Sequence, residues 1–348
     1  MDEKKWALLE KLTGTAGPSG DEAAVRGLLR EQIEPYADEL RVDGLGNLLA
    51  FKRGKRPAVK RLLFDAHMDE VGFIITGVRE DGYLTFGALG GIDPRVALAK
   101  RVLVGPKRLQ GVICGKPMPL LEIKDRGAPG KLEDLCIDIG ADSREEAAAL
   151  VRLGDTAVFD SAFVRFGEGL IKAKALDDRA GCLLLVALMQ SELAYDAWFS
   201  FSVQEETGLT GAKTAAFGVA PDFAIVVEST TAADVGGVAV NKQVCRLGRG
   251  PAISFMDRST LYPPALYRYA WALIEEKGLT AQVKEGVYGG NNAGAIHPSR
   301  AGVQTLTVSL PCRYIHSGAS VIRESDFDAA LPVLEALHER LAGGFYEA

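Results

Sequence analysis

The spacing of apolar residues along the chain predicts an α/β fold. The segment DEAAVRGLLREQI places its valine, leucines and isoleucine on one face of a helix. Short apolar runs typical of buried strands follow, such as VKRLLFDAH, AWFSFSV, PDFAIVV and GVQTLTVSLP. Helical segments such as PPALYRYAWALIEEKG separate these runs, and a last helix is expected from about Asp326. This alternation is typical of an α/β domain built on one sheet.

The pattern changes between residues 72 and 163. Short strands punctuated by glycine replace the helices there, apart from the segment SREEAAALVRLG. We therefore predict a small β-rich domain at 72–163, inserted into an α/β domain made of residues 1–71 and 164–348.

The composition excludes several classes of protein. The 348 residues include 47% hydrophobic and 25% charged residues, and the net charge is −6. The sequence has no basic stripe of the kind that suggests nucleic-acid binding. No apolar run in it reaches membrane-spanning length. The five cysteines are odd in number and far apart, which favours a reducing compartment. The charged amphipathic N-terminus lacks a signal-peptide core, so we expect a cytoplasmic protein.

Charged residues stand where apolar strands end. His67, Glu205, Glu206 and Glu228 lie at or just past such ends, His316 lies a few residues past another, and Asp177 and Asp178 begin a helix. Ligands of open α/β sheets bind outside the carboxyl ends of the strands. These side chains, distant in sequence, are therefore expected to share one crevice.

The pair His67 and Asp69 is a candidate metal site. The two residues are two positions apart on an extended segment, so their side chains point to the same face. Asp69 can then accept the second N–H of a metal-bound imidazole. The alternatives are a structural histidine and a turn aspartate. In the same way, Asp177 or Asp178 could be a helix N-cap, and Glu228 could lie in a surface turn.

Glu205 and Glu206 form an adjacent acidic pair. Alternation along a strand would send the two side chains in different directions. One could then bind a divalent cation while the other acts as general base, as in two-metal hydrolytic sites. The alternative is a surface pair on an acidic helix, which the apolar strand before the pair disfavours.

Six segments together resemble one family. AHMDEVGF, KALDDRAG, VQEETGLTGA, VVESTTAADV, GGNNAGAIH and LPCRYIHS occur in the order and at the spacing of the M42 dinuclear metallo-aminopeptidases. This family includes tetrahedral (TET) peptidases, glutamyl aminopeptidases and endoglucanase-like proteins. The resemblance implies a mixed-sheet α/β/α dinuclear zinc-peptidase fold with an inserted PDZ-like domain. It also implies self-association into a homo-oligomer such as a tetrahedral dodecamer.

The resemblance assigns ligands for two divalent metal ions per chain, with zinc or cobalt expected. His67 and Glu228 would be the terminal ligands of one ion. Glu206 and His316 would be those of the other, and Asp177 would bridge both.

The resemblance also assigns roles around the metals. Glu205 would be the general base and Asp69 would orient His67. The Asp177–Asp178 peptide would be cis, with Asp178 accepting hydrogen bonds near His316.

The function implied is that of an aminopeptidase, which removes the N-terminal residue of short peptides by attack of a metal-bridging water. The alternatives are another dinuclear amidohydrolase (a carboxypeptidase or deacetylase), a glycosidase and a non-catalytic protein with a relic site.

The chain departs from the family pattern at three places. Glu228 stands where many relatives carry aspartate, and Thr207 stands where valine is common. Asn291 and Asn292 replace a Thr-Asp pair, which would remove a negative charge near the substrate.

Overall fold

The computed structural model of the chain describes residues 3–123 and 130–346. The helices of this part are α1 (Glu3–Gly14), α2 (Ala23–Ile33), α3 (Pro94–Ala97), α4 (Arg144–Leu150), α5 (Leu176–Gln190), α6 (Thr210–Val219), α7 (Pro264–Glu276), α8 (Ala293–Ile296) and α9 (Glu324–Ala342). The strands are β1 (Glu39–Val42), β2 (Leu48–Lys52), β3 (Leu62–His67), β4 (Gly72–Val78), β5 (Leu84–Leu89), β6 (Arg101–Val104), β7 (Leu109–Cys114), β8 (Cys136–Asp138), β9 (Thr156–Phe159), β10 (Val164–Phe166), β11 (Leu170–Ala173), β12 (Ala197–Ser202), β13 (Phe223–Thr231), β14 (Ala252–Ile253), β15 (Gln282–Val283), β16 (Gln304–Cys312) and β17 (Ser320–Arg323). None of these helices combines the length and apolar character needed to cross a membrane.

The predicted mixed α/β architecture is confirmed. Eight strands form the main sheet in the order β1-β2-β12-β3-β13-β16-β14-β15, and β10, β11 and β17 form a smaller sheet. The central strands β12, β3, β13 and β16 run parallel. All six residues of β3 are buried, as expected for a strand covered on both faces.

Helices cover both faces of the main sheet. Leu62 and Phe64 of β3 point into a large core shared with α1, α2, α5, α7 and α9. The alternate residue Leu63 points to the other face, where it packs with α6 and α8. Helix α5 is buried from Leu176 to Met189, so the charged residues at its start lie in dry surroundings.

Strands β4 to β9 close into a separate barrel in the order β4-β5-β8-β7-β6-β9. The barrel has its own core, in which the ring of Phe73 meets Phe86 and Phe159 edge to face. The sequence shows little helical periodicity here because alternate residues of each barrel strand face this small core. This alternation gives the period of two that is typical of strands.

Candidate metal centre

The carboxyl ends of the parallel strands meet at one edge of the sheet, as the sequence predicts. His67 is the last residue of β3, and Glu205 and Glu206 follow β12. Glu228 lies inside β13 rather than after it. Pairing of β13 with β3 stops at Val226, while pairing with β16 continues. The carboxylate of Glu228 therefore lies beside the open end of β3, next to His67.

Asp177 lies between the two histidines. Its Oδ1 is 3.3 Å from Nε2 of His67, and its Oδ2 is 3.2 Å from Nε2 of His316. Glu228 Oε1 is also 3.3 Å from Nε2 of His67, and Glu206 Oε1 is 3.4 Å from Nε2 of His316. The five side chains form two half-sites that share one carboxylate.

Each imidazole presents the same nitrogen to these carboxylates. Nδ1 of His67 lies 3.1 Å from the carbonyl oxygen of Asp69, and Nδ1 of His316 lies 2.9 Å from that of Gly91. A carbonyl only accepts, so each Nδ1 donates and Nε2 is left to bind a cation. Gly91 follows β5, so the barrel contributes directly to the orientation of His316.

The Asp69 carboxylate holds the loop of the acidic pair. Its Oδ1 accepts the backbone N–H of Glu205 at 3.0 Å, and its Oδ2 accepts that of Glu206 at 3.2 Å and the hydroxyl of Ser19 at 2.6 Å. Strand β12 ends at Ser202, so strand alternation does not separate Glu205 from Glu206, contrary to our expectation.

The pKa values of the histidines reflect their acidic neighbours. Burial alone would lower the pKa of His67, but the charge of Glu228 and contacts with Asp177 and Asp69 raise it well above its ordinary value. Burial would also lower the pKa of His316, but the hydrogen bond to Asp177, the charges of Glu206 and Asp177 and the contact with Gly91 together raise it to about 9.

Burial raises the pKa of most of the carboxylates at this centre. Burial raises the pKa of Glu206 to about 8 and that of Glu228 to about 7, against the attraction of the histidines. Burial, reinforced by Glu228 and Glu206, also raises the pKa of Glu205 well above its ordinary value. Asp177 and Asp69 have lowered pKa values instead: burial opposes their ionisation, but both imidazoles stabilise the charge of Asp177, and His67 stabilises that of Asp69. So many buried acids can ionise together only if positive charge is added.

Unpaired oxygens support a metal centre. Oδ2 of Asp178, Oε1 of Glu206 and Oε2 of Glu228 are buried and accept no hydrogen bond from any residue that the structure describes. Such atoms are rare in folded proteins unless a ligand uses them. Two groups in the described residues could hold an ion: His67 with Asp177 and Glu206, and His67 with Asp178 and Glu228. Imidazole and carboxylate ligands suit zinc and similar divalent ions, so the residues fit the metals that the family implies.

Asp178 corrects one expectation. The Asp177–Asp178 peptide is cis, as the resemblance implied. However, Asp178 lies near His67 and Glu228 rather than near His316. Its Oδ1 accepts the backbone N–H of Gly181 at 3.1 Å.

Asn291 and Asn292 lie in different surroundings. Asn291 lines the cavity next to the metal centre, whereas Asn292 is fully buried and donates to Asp65 and Ser202 at 2.7 and 2.8 Å. An aspartate at position 292 would place a second carboxylate against Asp65. The negative charge that this chain lacks relative to the family pattern would therefore lie beneath the site rather than in the cavity.

A cavity of about 430 Å³ opens onto the centre. Of the predicted site residues, Asp177, Glu205, Glu206, Glu228 and His316 line it. Lys284 lines it as well, and sequence reasoning missed this residue because the segment AQVKEG carries no motif that marks it.

Comparison with known proteins places the chain in a peptidase class. The model of the M42 glutamyl aminopeptidase family matches residues 46–333, and the chain belongs to this family. It is 31% identical to the lysyl aminopeptidase of Pyrococcus furiosus over 97% of both chains. Among solved structures, the TET aminopeptidase of Thaumarchaeota archaeon SCGC AB-539-E09 superposes with a TM-score of 0.93, at 35% identity over 99% of both chains.

A third similar protein is the TET1 peptidase of Pyrococcus horikoshii, which is described as assembling into a tetrahedron or a large octahedral shell. It has a TM-score of 0.83 and 35% identity over 96% of this chain and 99% of its own. The predicted enzyme class is confirmed: the chain is a hydrolase that acts on peptides.

Proposed function

We propose that the protein is a metal-dependent aminopeptidase with a two-metal centre. The observation that carries this proposal is the position of Asp177, whose two oxygens face Nε2 of His67 and Nε2 of His316 at 3.3 and 3.2 Å. One carboxylate shared by two imidazole-containing half-sites is the arrangement that a bridging ligand requires.

The residues divide into two ligand sets. His67, Asp177 and Glu228 would hold one divalent ion, and Asp177, Glu206 and His316 would hold the other. Asp178 lies close enough to the first set to complete it. Two such ions, zinc or cobalt, would supply Lewis-acid activation of the scissile carbonyl and of the attacking water.

Glu205 is the proposed general base. It lines the cavity, yet it belongs to neither group of potential ligands in the described residues. Its pKa is raised, mainly by burial. The raised pKa makes its carboxylate a stronger base, which can accept a proton from water and return it to the leaving amine. Asp69 holds the backbone of this residue, so it is a positioning residue for the base.

The acidic wall of the cavity also supports the proposal that cleavage occurs at the first residue. Asp177, Glu205, Glu206 and Glu228 line one side of it, and such a wall attracts the free α-amine of a peptide. An amine anchored there places the first peptide bond within reach of Glu205.

Two further proposals concern the whole chain. Residues 1–71 and 164–348 would form the catalytic domain, and 72–163 would form a PDZ-like inserted domain that takes part in assembly. Supporting this, strands β4–β9 form a barrel with a core of its own. The similarity to TET peptidases favours assembly of this chain into a homo-oligomeric shell, which light scattering of the purified protein would detect.

Peptides with blocked ends test the function. We expect metal-loaded protein to release the first residue of a free tetrapeptide and of its C-terminal amide, and to leave the N-acetylated peptide uncut. Cleavage that instead required a free carboxyl end would indicate a carboxypeptidase, and removal of the acetyl group alone would indicate a deacetylase. Activity that persists after exhaustive chelation would contradict the metal-dependent proposal.

A further inference from the structure

Two free thiols lie opposite each other on the barrel. Cys114 is the last residue of β7, and Cys136 is the first residue of β8. The two strands are antiparallel, and their register pairs these residues directly. Ile113 and Ile137, the neighbouring pair of the same ladder, are buried in the barrel core. Alternation along each strand therefore sends both sulfurs to the outer face of the barrel, where both cysteines are half-buried.

The register brings this thiol pair, Cys114 and Cys136, to a separation that suits a disulfide. Directly opposed residues of an antiparallel ladder have Cα atoms about 4.5 or 5.5 Å apart, depending on their hydrogen-bonding position. Both separations lie within the range of about 4.4–6.8 Å that disulfides span. The electrostatics agree with this proximity, because burial raises the pKa of Cys114 and the neighbouring thiol of Cys136 raises it further.

Cys136 has a cation beside its sulfur. Nη1 of Arg79 donates to Sγ of Cys136 at 3.6 Å, while the rest of the guanidinium group pairs with Asp81. The thiolate is the form of cysteine that reacts, and an adjacent guanidinium group stabilises it. Cys136 is therefore the expected first nucleophile of the pair, and Cys114 is the residue that completes the bond.

The other three cysteines of the chain are less accessible. Cys182, Cys245 and Cys312 are all buried. Buried thiols in apolar surroundings are inert, whereas thiols that solvent reaches can react. A dissolved oxidant is therefore expected to act first on the thiol pair of the barrel.

Strand β8 is the short strand through which the barrel closes. It has three residues and lies between β5 and β7. It pairs with β7 at three positions, but in the described part of the chain its pairing with β5 is confined to Leu84 opposite Ile137. A covalent bond between Cys114 and Cys136 would fix β8 to β7. It would also close the loop of residues 115–135, which restricts the unfolded chain.

We propose that Cys114 and Cys136 form a reversible disulfide when the protein meets a small disulfide such as oxidised glutathione, and that this bond holds the barrel closed at β8. The thiolate of Cys136 attacks one sulfur of the small disulfide, which forms a mixed disulfide and releases one small thiolate. Cys114 then loses its proton to water and attacks the sulfur of Cys136, which forms the protein disulfide and releases the second small thiolate. Two electrons pass from the protein sulfurs to the small disulfide, and the two thiol protons end on the two small thiols.

Peptide mapping tests the proposal. Protein that is reduced with dithiothreitol, freed of the reductant and incubated with oxidised glutathione should lose two hydrogen atoms, and digestion should yield Cys114 linked to Cys136. Renewed treatment with dithiothreitol should restore both thiols. Glutathione adducts that persist without this link, a link between other cysteines, or a bond between two chains would each overturn the proposal. The measurement needs neither metal nor substrate, so its result is independent of the proposed aminopeptidase function.

Variants test the order of the two steps. Cys114→Ser should stop the reaction at the mixed disulfide on Cys136, and Arg79→Gln should slow the oxidation of the wild-type pair because the thiolate loses its cation. Glu80→Gln is the matched control, since Glu80 is the exposed neighbour of Arg79 and pairs with Arg144; it should not slow the reaction. An unchanged rate in Arg79→Gln would contradict the assignment of Cys136 as the first nucleophile.

Hydrogen exchange measures the effect of the bond on the barrel. Oxidation of wild-type protein should slow the exchange of the β8 amides by about tenfold or more, since a disulfide opposes the opening of the strands that it joins. Cys114→Ser under the same treatment should show no such change. Unchanged exchange in oxidised wild-type protein that carries the mapped bond would overturn its role in closing the barrel, and this comparison requires no variant.

Discussion

Oδ1 of Asp69 accepts the backbone N–H of Glu205 at 3.0 Å. The backbone carbonyl of the same residue accepts a hydrogen bond from Nδ1 of His67 at 3.1 Å, so a single buried residue joins the proposed base to a proposed metal ligand. Asp69 thus contacts both groups although it does not itself line the cavity.

We predict that Asp69→Asn lowers kcat by about 10–100-fold, the usual effect of changing a buried group that supports a metal centre without binding the metal itself. The N–H groups of Glu205 and Glu206 bind different oxygens of Asp69, and asparagine replaces one of these oxygens with an NH2 group that cannot accept. The measurement is kcat together with metal content. Asp222→Asn is the control, since Asp222 is exposed and accepts the N–H of Arg61. Full activity in Asp69→Asn would show that the loop is held by other contacts.

Glu205 and Glu206 should respond differently to the same substitution. Glu205→Gln is expected to retain both metals and to lose about 10²–10⁴-fold in kcat, the usual contribution of a general base. Glu206→Gln is expected to weaken one metal site, because Glu206 faces His316. Elemental analysis after gel filtration separates the two. Metal loss in Glu205→Gln with activity spared would reverse the assignment.

The shared position of Asp177 leads to a prediction about metal stoichiometry. Wild-type protein dialysed against zinc or cobalt should hold close to two equivalents per chain. Asp177→Asn should lower the affinity for both ions, because its oxygens face both half-sites, whereas His316→Ala should affect mainly one. Isothermal titration of the chelated protein measures both events. Two unchanged binding events in Asp177→Asn would exclude a bridging role.

Asp326 lets the pH dependence of stability be tested away from the metal centre. Burial raises its pKa to about 6, although the N–H groups of Gly248 and Gly250, each at 2.7 Å, favour the ionised form. A carboxyl whose pKa is higher in the folded than in the unfolded chain binds protons more tightly when folded. Its contribution to the free energy of unfolding is therefore fully present below about pH 4 and is lost as the pH rises through about 6.

The difference in unfolding free energy between wild type and Asp326→Asn should consequently fall by up to about 3 kcal/mol between pH 4 and pH 7. Denaturant unfolding at several pH values measures this slope. A difference that stays constant with pH would show that the two N–H donors cancel the effect of burial.

The sequence by itself determined the class of fold and most of the candidate centre. Apolar runs such as LLFDAH predict buried parallel strands, because a strand covered on both faces cannot alternate with polar residues. Since parallel strands end at one edge, His67, Glu206 and Glu228 were expected to meet there, and the structure brings them together.

Only the tertiary structure decided which neighbours these residues have. It placed Asp178 beside His67, buried Asn292 against Asp65, and brought Lys284 into the lining of the cavity. Sequence spacing fixes the local period of a strand or helix, but Lys284 follows a two-residue edge strand with no periodicity of its own. Its proximity to Glu228 depends on the order in which separate strands join the sheet, and this order is set by the packing of the whole core.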